Sequence, residues 1–161
     1  MKEIELQKGI GVVEIIIVVF IASIALFSLA QITSFSFKGF RAQEDLLEAS
    51  FLTEEAIEAV RAVRGEGWVN ISTIDHNLEY HPEKAATSSR WILVTGAENI
   101  GIFTRIITFE DVFRDANFDI TSSGGAIDTD TLKITAKVTY NSGNQSKDVT
   151  LVTYLTNFLN N

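Results

Sequence analysis

The chain is 161 residues long and contains no cysteine. That removes disulfide frameworks, thiolate zinc sites and thiol nucleophiles together. There are two histidines, His76 and His81, too few for most metal or acid–base constellations. The thirteen basic residues are outnumbered by 21 acidic ones, for a formal charge of -8. Nucleic acid is therefore not an expected partner, since phosphate contact needs clustered Lys and Arg. G-x-S-x-G, phosphate-loop and H-E-x-x-H patterns do not occur, and an enzyme is not expected. Scarcity of apolar residues is not among the deficits. They make up 46% of the chain, with 11 Phe, which argues against a disordered polypeptide.

The apolar residues are concentrated. From Ile10 to Ile32 the chain reads IGVVEIIIVVFIASIALFSLAQI, with Glu14 as its one ionisable residue. As a helix this stretch is roughly 35 Å long, enough to cross a bilayer core. It is apolar on every side, whereas a soluble surface helix carries a polar stripe. A membrane segment is the expectation. A cleavable signal peptide ending near Ser28-Leu29-Ala30 is the competing reading. Its apolar core is normally shorter, and its leader normally carries net positive charge. Lys2, Lys8, Lys38 and Arg41 are too evenly placed to set an orientation.

Glu14 is costly in hydrocarbon, at least about 2.5–3.5 kcal/mol. It needs a cation, and Ile10 to Ile32 contains no Lys, Arg or His. Unless Glu14 only marks the membrane edge, the cation comes from another chain.

The run Lys8-Gly9-Ile10-Gly11-Val12-Val13-Glu14 resembles the processing site of type IV pilins and type II secretion pseudopilins. The resemblance rests on a combination: a short leader ending in Gly, four intervening residues, Glu, then a spanning apolar run. It implies cleavage after Gly9 by a prepilin peptidase, with Ile10 as the new amino terminus, usually methylated. It implies that Glu14, fifth in the mature chain, meets the α-amino group of a neighbouring subunit. The implied partners are other pilin or pseudopilin subunits, the peptidase, a membrane assembly platform and the lipid bilayer. The implied location is the bacterial cytoplasmic membrane before assembly, then a surface or periplasmic filament. The loose likeness of Thr53–Trp68 and Val149–Asn157 points to minor pilins or I-type pseudopilins. The alternative is a single-pass anchored protein with a β-rich binding head that does not polymerise.

The expected organisation is a leader (1–9), a transmembrane and assembly helix (10–32), an amphipathic helix entering the head (33–67) and a β-rich head (68–161). Leu46, Ala49, Leu52, Ala56, Ala59 and Val63 step by three or four and define the expected apolar helix face. Gly65 and Gly67 follow as stop signals. In the head, Trp91–Val94 and Ile102–Phe109 read as strands, and Leu132–Tyr140 alternates with a period of two. Asn141-Ser142-Gly143-Asn144 is a turn leading to a second hairpin strand, Val149–Leu155. His76, His81 and Pro82 are assigned to a loop. The fold class is α+β, a long helix on a small antiparallel sheet, which is also what the resemblance implies.

Two further candidates remain. Asp115, Asn117 and Asp119 open like a calcium loop, with Asp128 and Asp130 nearby, and some pseudopilins bind calcium in the head. Ile120 and Ala126 stand where such a loop needs Gly and Glu, and turn capping is the competing role. No other cofactor is expected. Lys133 and Lys137, joined by Arg105 from another strand, form a candidate basic strip for single-stranded DNA. Ordinary solvated lysines are the competing reading.

Overall fold

A computed structural model describes residues 11–122, 124–143 and 145–158. Helix α1 spans Val12–Gly65, and a single turn, α2, spans Val69–Ser72. Seven strands follow: β1 (Tyr80–Lys84), β2 (Trp91–Thr95), β3 (Glu98–Ile100), β4 (Phe103–Arg114), β5 (Ile120–Thr121), β6 (Ala126–Ser142) and β7 (Gln145–Thr156). The chain divides into two compact units between Gln43 and Glu44.

In the first unit the helix is unbroken through Gln31–Gly39, although Thr, Ser and Gly weaken helical propensity there. Its hydroxyls are satisfied locally. Ser23 donates to the Val19 carbonyl, Ser28 to Ile24 and Thr33 to Leu29, at 2.7–2.9 Å. Each bond spends a polar side chain on the helix's own backbone, which suits an apolar surrounding.

In the second unit the rest of α1 lies on an antiparallel sheet ordered β2-β1-β4-β6-β7, with β3 and β5 also pairing β4. This is an α+β layout with one helix layer on one sheet face. The larger core joins Ala56, Ile57, Val60 and Val63 of the helix to Ile107 and Phe109 of β4 and Leu132, Ile134 and Ala136 of β6. A smaller one joins Ala49 to Phe103, Val138 and Tyr140. The strict alternation of β6 sends Leu132 to Tyr140 inward and Lys133 to Thr139 outward.

Three expectations need correction. The buried helix face is Ala49, Thr53, Ala56, Ile57, Ala59, Val60, Val63 and Arg64, while Leu46 is half exposed. Ala49, Ala56, Ala59 and Val63 are buried as expected and Leu52 packs against the smaller core, but the face is wider and shifted away from Leu46. It takes in Thr53, whose hydroxyl donates to the Ala49 carbonyl at 2.7 Å and so enters the core without an unmet bond.

His81 and Pro82 lie in strand β1, not in a loop. The Ala85 N–H donates to the Arg90 carbonyl, and Gly96 N–H to the Glu79 carbonyl. By alternation, His81 and Glu83 turn their backbone groups toward β2 and Pro82 turns away from it. On that far side β4 pairs only with Tyr80, so the missing proline N–H costs no ladder bond.

The long hairpin also exceeds its expected limits. Strand β6 starts at Ala126 and β7 at Gln145. The extra length of β6 pairs with Val112–Arg114 of β4 after a register shift at Asp111/Val112. Gly125 makes that approach possible. It sits at φ +93, and a Cβ there would lie 2.3 Å from the Arg114 carbonyl oxygen.

Candidate functional site

Within the first unit, Gly11 accepts the first helical bonds from Glu14 N–H (3.0 Å) and Ile15 N–H (3.3 Å). Glu14 therefore lies in the first turn, where a carboxylate is favoured by the helix dipole. It has no ion-pair partner among the described residues. From Val12 to Phe40 the apolar side chains are exposed on every side of the helix, including Phe20, Phe27 and Phe35. One window of this helix is long and apolar enough to cross a membrane, and none of it is buried. The processing residues Gly9 and Ile10 lie outside the described residues.

The calcium candidates do not converge. The Asp115 Oδ1 accepts the backbone N–H groups of Asn117 (2.8 Å) and Asp119 (3.0 Å) and so forms the turn of a β4–β5 hairpin. Phe118 occupies a left-handed position in that turn, at φ 65. The Asp128 carboxylate accepts Arg114 Nε at 2.5 Å, and the Asp130 side chain accepts Asn157 Nδ2 at 3.1 Å. Among the described residues no three His, Asp or Glu side chains are placed to hold a metal ion. The side chains of Asp115, Asp128 and Asp130 serve a turn, an ion pair and a strand end, and Asn117 and Asp119 give that turn their backbone N–H groups.

Asp128 carries a pH consequence. The Arg114 hydrogen bond, with help from the Thr131 hydroxyl and the Asp130 N–H, holds its carboxyl below the ordinary aspartate value. A depressed folded value contributes stability that is present above the unfolded value of about 3.9 and is lost as pH falls through the folded one. In acid unfolding followed by tryptophan fluorescence, Asp128→Asn should lose stability less steeply below about pH 4 than the parent. Equal slopes would show that the pair does not contribute.

The basic strip separates. Lys133 pairs with Glu110 (3.0 Å) and Lys137 approaches Asp148 (4.0 Å), both on the outer sheet face. Arg105 is on the opposite face, against the helix, and is 3% exposed. It bonds Glu55 (2.7 Å), Glu98 (2.5 Å) and the Leu52 carbonyl (3.2 Å). The sequence held the signal: Arg105 shares the parity of Phe103, Ile107 and Phe109, so period two puts it in the core. A three-membered basic strip on one face is therefore excluded.

His76 Nδ1 lies 2.9 Å from the Asp111 carboxylate and its ring stacks on Phe109. His81 Nδ1 lies 2.9 Å from the Gly96 carbonyl. The two histidines serve separate local bonds. At the start of the head, Arg90 forks onto Glu66 and links the end of α1 to the start of β2.

Compared with protein-family models, with curated proteins and with solved structures, the chain gives no match.

Proposed function

We propose that the chain is a pilin-like or pseudopilin-like structural subunit: cleaved after Gly9, held in a membrane by its apolar helix, and polymerised through that helix. The observation that carries this reading is Glu14. It is a carboxylate in the first turn of a helix whose stretch from Val12 to Ile32 is exposed and apolar on all sides, with no cation beside it among the described residues. In hydrocarbon such a charge is stable only when paired. The amino group created by cleavage four residues upstream, on an adjacent copy, supplies that pair at matching depth. The α+β layout of the second unit agrees with the resemblance, and the exposed helix agrees with single-pass anchoring.

The test has two readouts. Amino-terminal sequencing of membrane-extracted protein, produced with a prepilin peptidase, should start at Ile10. Glu14→Gln should insert and be cleaved like the parent, yet yield at most about one tenth of the sheared filaments, since the pairing is worth at least one decade. A start at Met1, or normal filaments from the variant, overturns the proposal.

A further inference from the structure

Arg64, in the last turn of α1, is 6% exposed. Its contacts among the described residues are neutral: it donates Nη2 to the Thr156 carbonyl, and its guanidinium lies 4.1 Å from the centroid of the Phe158 ring. Among the described residues no carboxylate pairs with it, in a chain with 21 acids against 13 bases. The other deeply buried arginine, Arg105, holds two carboxylates. An enclosed guanidinium without a counter-ion is costly, and the cost is removed by an anion from outside. Arg64 also borders an open cleft of about 300 Å³, lined by Arg61, Arg64, Tyr154, Leu155, Thr156 and Phe158. Arg61 stands at its rim, about half exposed, with Glu58 at 2.5 Å. An exposed pair of that kind is weak and releases its guanidinium easily.

We infer that this cleft is an anion site that takes a carboxylate carried on an apolar stem. The planar guanidinium fork matches a carboxylate in two parallel bonds. Leu155 and Phe158 supply an apolar wall for the stem. One enclosed cation and one rim cation suit a singly charged oxyanion better than a phosphate dianion. The carboxylate comes either from a free acid in solution or from an acidic side chain of a second copy. The inference is independent of the filament reading, because the head reports on it whether or not polymers form.

The test uses the full chain in detergent micelles, with benzoate as the probe and chloride at equal ionic strength as the control. The Arg64 Nε–Hε and Asn157 amide resonances should shift saturably with benzoate and not with chloride. Arg61→Gln should weaken the effect about threefold to tenfold. Arg64→Lys keeps the charge and a donor for Thr156 but loses the fork, and should weaken it about tenfold or more. If a second copy is the source, the resonances move with protein concentration alone, and benzoate reverses the change. Resonances that respond to neither benzoate nor concentration overturn the inference. So does benzoate binding that is unchanged in both variants.

Discussion

Phe109→Ala should destabilise the head by about 3–5 kcal/mol, the cost of emptying a large aromatic site in a packed core. Phe109 is 1% exposed on the central strand β4. Its ring meets Tyr80 edge-on at 5.8 Å and stacks on His76 at 6.5 Å. Both Ile134, across the ladder, and Ile57, from the helix, belong to the same core. Because strands and helix wall the site from separate directions, its lining cannot close the void without shifting the ladder. Denaturant unfolding of the full chain in micelles reads this directly. The chain's two tryptophans, Trp68 and Trp91, both belong to this core or pack against it, so their fluorescence follows the head. Phe118→Ala, on a side chain that is 80% exposed, is the matched control and should change stability by less than about 0.5 kcal/mol. A loss below about 1 kcal/mol for Phe109→Ala would mean that helix and sheet are not packed around this ring.

Arg105→Met should cost about 3 kcal/mol. Removing one member of a buried ion group costs about 3–5 kcal/mol when its partners stay uncompensated. Here Glu55 and Glu98 retain partial exposure, 46% and 29% of their side chains, so water recovers part of the loss and the lower end applies. Arg105 ties β4 to β3 through Glu98 and to the helix through Glu55 and the Leu52 carbonyl. The loss should therefore be shared between elements. Hydrogen exchange should speed up in the helix around Leu52 as well as in β3. Adding Glu98→Gln to Arg105→Met should restore about 1 kcal/mol, because it removes a carboxylate left without its cation. Additive losses in the double variant would show that Arg105 acts by packing alone.

Much of this architecture could be read from local pattern. The apolar run from Val12 to Ile32 is helical because nothing in it interrupts the ladder. Its exposure follows from having no polar side to turn outward. The alternation in Leu132–Tyr140 gave the inward and outward faces of β6 residue by residue, and the Gly143 turn gave its hairpin partner. These signals are strong because a short repeat is sampled several times within one element.

Other features depend on what lies opposite. A helix of small apolar residues offers more than one acceptable face. Only the sheet decided that Thr53, Ile57 and Val60 join Ala49, Ala56, Ala59 and Val63 in the core while Leu46 stays half exposed. A proline argues against a strand until the neighbouring strand is known to leave its nitrogen unmatched, as β4 does beside Pro82. The acidic residues between Asp115 and Asp130 share a stretch of sequence, yet strand pairing distributes them among Arg114, Asn157 and a hairpin turn.

By itself the sequence determined a helix able to span a bilayer, the lone carboxylate near its start and the polarity of the longest hairpin. Each is set by neighbours a few residues apart along the chain. Tertiary structure decided which charges are buried and what they meet. It placed Arg105 between two carboxylates and, among the described residues, set Arg64 against a carbonyl and an aromatic ring. Apart from Glu98, which is seven residues from Arg105, those partners lie fifty or more residues away in the chain, and no local period encodes a distance of that kind.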